Sequence, residues 1–124
     1  MGEAGTTICI VKDDPFLRVE AVLLLEEAGL SIVSFADAES AMAHLARSAE
    51  QISLLVIEIR FPGRMTGLEL ARRVARRWPQ INVALMALSE PVAKADIPES
   101  ITVAKRPWLP TDLLVHAHRA NTPR

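Results

Sequence analysis

LLVIEIRFPGRMTG, residues 54–67, joins an aliphatic run to an acid, a Pro-Gly turn and the polar start of a periodic helix. An unbroken run of Leu and β-branched residues fits a strand buried on both faces, as the central strands of parallel sheets are. Glu58 then stands at the carboxyl edge of such a strand, where open α/β sheets bind their ligands. The acid is a glutamate, one methylene longer than aspartate.

On both sides of this stretch, strand-like and helix-like segments alternate. Thr6 to Val11 is a short apolar run followed by KDDP. Asp14 before Pro15 reads as an N-cap with proline in the first turn, where its missing N–H costs nothing. Phe16, Val19, Ala21, Val22, Leu23, Leu25 and Glu26 continue as a helix toward Gly29, a natural stop. Ser31 to Phe35 is a second strand, and Asp37 opens a second helix through Met42, Leu45 and Ala46. Leu54 to Ile57 is the third strand. Gly67 to Trp78 is the third helix, with Leu68, Leu70, Ala71, Val74 and Ala75 as its apolar stripe, closed by Pro79. Asn82 to Ala87 and Thr102 to Ala104 are the fourth and fifth strands, and Pro110 and Thr111 start a last helix carrying Leu113, Leu114, Val115 and Ala117. Strict β-then-α order implies a parallel sheet with helices on both faces and right-handed crossovers. LSEPVAKADIPES, residues 88–100, interrupts the pattern: two prolines leave room for about two helical turns, so the fourth helix is expected to be short or irregular.

The 124 residues fit one domain, residues 1–124 with a core of about 6–120, and half of them are apolar, which argues against disorder. A net charge of −1 gives no global attraction to nucleic acid or anionic membrane. The apolar runs are too short for a membrane span, and MGEAGTT lacks the pattern of a secretory signal, so a cytoplasmic location is expected. Cys9 is the only cysteine; an internal disulfide and a cysteine-based zinc site are excluded, and Ile8 and Ile10 flank it as they would a buried structural thiol. His44, His116 and His118 show no ligand spacing.

In a sheet of this kind the loops after strands one, three, four and five converge on one edge. Here they carry Lys12, Asp13 and Asp14, then Glu58, then Ala87 to Ser89, then Lys105 and Arg106. VKDDPFLR, VIEIRFPGRMTGLELARRV and AKRPWLPTDLL, in this order and βα context, resemble the receiver domain of two-component response regulators, and the resemblance runs from Ile8 to Ala120. It implies a flavodoxin-like, doubly wound α/β fold with a five-stranded parallel sheet in the order 2-1-3-4-5. In that family an acidic pair after the first strand and an aspartate after the third hold magnesium. The aspartate accepts a phosphoryl group, a Ser or Thr after the fourth strand follows it, and a lysine before proline neutralises it.

Carried over residue by residue, the acidic pair falls on Lys12 and Asp13, with Asp14 the adjacent acid. The phosphoacceptor falls on Glu58 and the hydroxyl position on Ala87. The lysine position falls on Arg106, or on Lys105 if one residue bulges. The extra methylene of Glu58 moves its carboxylate by about 1.5 Å. In-line phosphoryl transfer depends on positioning, and a displacement of about 1 Å can cost about a hundredfold. Lys12 removes one carboxylate from a hard-cation site and adds a positive charge, so no cofactor is expected: magnesium binding should be weak or absent, with Asp13 and Glu58 the only weak metal candidates. The formal charges of Asp13, Glu58, Lys12 and Arg106 cancel, and either Lys12 or Arg106 is expected to bond Glu58 directly.

The expected function is therefore that of an atypical, stand-alone receiver, a pseudo-receiver, not an enzyme, acting through another signalling protein or a second copy of itself. Trp108, after Pro107, is the candidate contact anchor. The alternative is a phosphoryl-accepting receiver with slowed chemistry at Glu58. A second alternative is nucleic-acid binding through Arg72, Arg73, Arg76 and Arg77, set against the commoner role of such residues as a solvated helix face.

Overall fold

The computed structural model describes residues 7–58, 65–86, 97 and 100–104. Its elements run β1 (Thr7–Val11), α1 (Pro15–Glu27), β2 (Ser31–Phe35), α2 (Ala38–Ser48), a 3-10 turn (Ala49–Gln51), β3 (Ile52–Glu58), α3 (Gly67–Arg77), β4 (Asn82–Met86) and β5 (Ile101–Ala104). All four strand pairings are parallel, and the sheet order is β2-β1-β3-β4-β5. This is the flavodoxin-like order expected from the sequence. The expected fourth helix and last helix lie outside the described residues.

Alternation along the strands sorts side chains into two cores. Cys9, Val11, Leu55, Ile57, Val83 and Leu85 pack with Ala41 and Leu45 of α2 and with Leu70, Ala71 and Val74 of α3. Ile8, Ile10, Leu54, Val56, Ala84 and Met86 pack on the other face with Ala21 and Leu25 of α1. β3 is buried on both faces from Ile52 to Ile57, which explains its unbroken apolar run. Cys9 is fully buried, and that burial raises its thiol pKa to about 12, as fits an inert core residue.

The helix ends are set by local chemistry. Asp14 Oδ1 accepts from Phe16 N at 2.9 Å, and Asp37 Oδ1 accepts from Ser40 N at 2.7 Å, capping α1 and α2. α1 closes on Gly29 at φ +85, with Gly29 N donating to Glu26 O at 2.9 Å and Leu30 N to Leu25 O at 3.1 Å. A residue with a Cβ would be strained there. Thr66 and Glu69 form a reciprocal capping box at the start of α3. Trp78 packs partly against the core beyond the end of α3, beneath the Arg77 guanidinium, 4.6 Å from the ring centroid.

Candidate functional site

The register of the two central strands builds the site. Ile8 lies beside Leu54 and Ile10 beside Val56, all four on the face that packs against α1. Two residues further on in each strand come Lys12 and Glu58, neighbours on that same face by the two-residue period of a strand. Lys12 extends the β1 ladder: its N–H donates to Phe35 O at 3.0 Å. Glu58 is the last residue of β3, paired with Met86 of β4.

Lys12 Nζ lies 2.7 Å from Glu58 Oε2, with 3 % and 14 % of the respective side chains exposed. Of the two cations expected to bond Glu58, this contact is made by Lys12; Arg106 lies outside the described residues. The Glu58 pKa is nonetheless raised above the ordinary carboxylate value. Burial is the largest cause. The hydrogen bond and charge of Lys12 oppose it, while the Asp13 carboxylate beside Glu58 adds to it. A lysine ammonium as deeply buried as this one needs an anionic partner, because an isolated charge in the interior is costly.

Asp13 is exposed at the mouth of this edge, and Asp14 is exposed and caps α1. The backbone that carries Lys12 and Asp13 is held from behind by Arg18 of α1, whose Nη1 donates to Lys12 O at 2.8 Å and to Asp13 O at 3.5 Å. Arg18 is the last residue of the VKDDPFLR stretch, but its reach back to the loop follows from the helix geometry of α1 and is not visible in the spacing alone. On the far side, Met65 N donates to Glu39 Oε2 at 2.9 Å, tying the start of α2 to the residue before the α3 cap. Ala87, Lys105, Arg106 and Trp108 lie outside the described residues.

Chemically, the described part of the edge presents one carboxylate already bonded to an internal ammonium, and one solvated carboxylate, Asp13. Among the described residues no three His, Cys, Asp or Glu side chains converge as metal ligands would. The arginines of α3 stand elsewhere: Arg73, Arg76 and Arg77 are exposed and Arg72 is half-buried. No helix of the described residues is long and apolar enough to cross a membrane.

Comparison with known proteins identifies the fold that carries this edge. Residues 8–103 match the response regulator receiver domain family. The chain is 32% identical over 110 residues to the response regulator receiver protein CpdR of Brucella abortus (strain 2308), covering 86% of this chain and 89% of that protein. It is 30% identical over 129 residues to the C4-dicarboxylate transport transcriptional regulatory protein DctD of Rhizobium meliloti (strain 1021), covering 98% of this chain but 26% of that protein. A response regulator receiver domain protein from Clostridium thermocellum superposes with a TM-score of 0.82 at 15% identity, covering 93% of each chain. At that identity the likeness concerns the fold. The chain belongs to the response regulator receiver domain family, the signalling module of two-component systems, which works through other signalling proteins.

Proposed function

We propose that this chain is a receiver that signals by protein contact without accepting a phosphoryl group. The observation that carries the reading is the contact of Lys12 Nζ with Glu58 Oε2 at 2.7 Å. In the family the equivalent of Glu58 is the phosphoacceptor, and the equivalent of Lys12 is one of the acids that hold magnesium. Here the first is bonded to the second. An attacking carboxylate must present a free oxygen in line with the phosphorus, and the added methylene already displaces it by about 1.5 Å. The donor set does not fit magnesium either: a hard dication seeks several anionic oxygens, and this site offers Asp13 together with a carboxylate already engaged by a buried ammonium. The partner is another signalling protein or a second copy of the chain.

The test is incubation of the intact protein with a small phosphodonor and magnesium, followed by intact mass measurement. No phosphoryl adduct is expected, and a labile adduct mapped to Glu58 would establish the slow-acceptor reading instead. Titration supplies a second measurement. Because the folded-state pKa of Glu58 is raised, its contribution to stability is present below the unfolded value of about 4.3 and is lost as pH rises through the folded value. Glu58→Gln removes that dependence, so the difference in urea midpoint between variant and parent grows in the variant's favour with rising pH. A difference that does not change with pH would show that Glu58 is not held against its own ionisation.

A further inference from the structure

The pairing of β1 with β3 ends at Val11 beside Ile57, so Lys12 stands one residue beyond the last rung. Its N–H is held on the β2 side, by Phe35 O at 3.0 Å. Its carbonyl accepts from Arg18 Nη1 at 2.8 Å, and the next carbonyl, that of Asp13, accepts from the same nitrogen at 3.5 Å. The first is a short, charge-assisted bond and the second a longer, weaker one. The ladder no longer fixes the backbone here. α1 does so instead, through a side chain that leans back over its own first turn.

Nothing in α1 itself calls for a cation at this place. Arg18 is the fourth residue of a helix whose first turn has no acid, and the positive end of the helix dipole disfavours a cation there. Among the described residues its guanidinium makes no ion pair. Nor does it cap α1, because Asp14 does. A residue that departs from local preference without gain to its own element points to a role beyond it. That role lies in what the held backbone carries. The Lys12 ammonium rides on a flexible four-carbon stem, yet its side chain is 3 % exposed and it lies 2.7 Å from Glu58 Oε2. A displacement of the Lys12 backbone by about 1 Å takes that contact out of hydrogen-bond range and leaves a buried charge without its anion.

We propose that Arg18 is the positioning residue of the Lys12–Glu58 pair: by holding the Lys12 and Asp13 carbonyls it fixes the root of the lysine and sets the ammonium on Glu58. The inference deepens the proposed function, on whose ion pair it rests, by naming the residue outside the pair that keeps it formed.

The test compares Arg18→Met, which keeps an apolar stem without a donor, and Arg18→Lys, which keeps the charge and a donor, in the isotope-labelled full chain. Two NMR signals report on the pair. One is the Lys12 side-chain ammonium, assigned by its loss in Lys12→Gln and visible only while bonding and burial slow its proton exchange with water. The other is the pH titration of the Glu58 carboxyl carbon. Arg18→Met is expected to lose the ammonium signal. It is also expected to move the Glu58 titration further upward, because Glu58 stays paired to β4 while the hydrogen bond and charge of Lys12 that oppose its raised pKa are withdrawn. Arg18→Lys is expected to restore both in part. Thr66→Ala, which removes the cap of α3, controls for lost stability alone: the urea midpoint falls and both signals stay as in the parent. Should Arg18→Met not fold, Arg18→Gln, too short to reach the loop, takes its place with the same expectation. Unchanged signals in the variant without the clamp, equal changes in Thr66→Ala, or an Arg18→Lys no nearer the parent than Arg18→Met would each overturn the proposal. The phosphodonor assay on the parent keeps the two ideas apart. An adduct on Glu58 with the Arg18 effects intact removes only the contact-signalling reading, and absent Arg18 effects without an adduct remove only the positioning role.

Discussion

α1 and α3 cover opposite faces of one sheet and are of similar length, yet α1 exposes apolar residues where α3 exposes arginines. α3 turns Leu70, Ala71 and Val74 to the core, and it exposes Arg73, Arg76 and Arg77. A capping box opens it, and Arg76 and Arg77 in its last turn favour the dipole. Every part of α3 agrees with every other. α1 buries Ala21 and Leu25 just as well, but it carries a second apolar stripe outward and ends on acids. The difference teaches how to separate residues that make a helix from residues that the helix displays.

The sharpest way to break that comparison is to truncate leucines on both helices. Leu70→Ala and Leu25→Ala should each cost about 2–5 kcal/mol in urea denaturation, because both are fully buried. Leu23→Ala, one turn's reach from Leu25 but on the displayed stripe, should stay within about 0.5 kcal/mol. A Leu23→Ala cost equal to that of Leu25→Ala would mean that the outward stripe is core. Next in size is the end of α1. At Gly29 an added Cβ meets no atom within 4 Å, so Gly29→Ala should cost about 1–2 kcal/mol from its positive φ alone. The two starts should be nearly equal, with Asp14→Ala and Thr66→Ala each lowering stability by about 1 kcal/mol in the same assay. The smallest effects should differ in sign. Glu27→Gln stabilises the protein by about 0.3–1 kcal/mol and Arg76→Gln destabilises it by a similar amount, as thermal melts at low salt would resolve. Two effects of the same sign would remove the electrostatic half of the contrast.

Much of this architecture was legible in the chain because parallel strands buried on both faces announce themselves as apolar runs. β2 has the bounds expected for it, and β3 is longer than its aliphatic centre because Ile52 and Glu58 pair as well. The 3-10 turn at Ala49–Gln51 is silent in the sequence, since AEQ carries no Gly, Pro or periodic signal. The Thr66–Glu69 capping box is written in the spacing of the two residues. At the edge of the sheet, the sequence left two cations as candidates for Glu58. Choosing Lys12 required the register of β1 on β3, which no single strand encodes. Arg18 was hidden for a related reason, because its hydrogen bonds depend on the direction in which a helical side chain leans back over the preceding turn. The outward stripe of α1 was present in the list of apolar helix residues. Periodicity identified a helix there, but apolar residues on more than one side left the core-facing stripe undetermined.

The buried ion pair at the sheet edge also fixes what kind of variable the cleft answers to. Lys12 and Glu58 belong to one chain, and each is delivered to the other by two neighbouring strands. Their encounter is intramolecular, so its probability is an effective concentration set by backbone geometry. Dilution does not separate them. A counterion drawn from solution follows the composition of that solution from moment to moment. One covalently attached to the fold arrives with the fold and leaves only when the strands part.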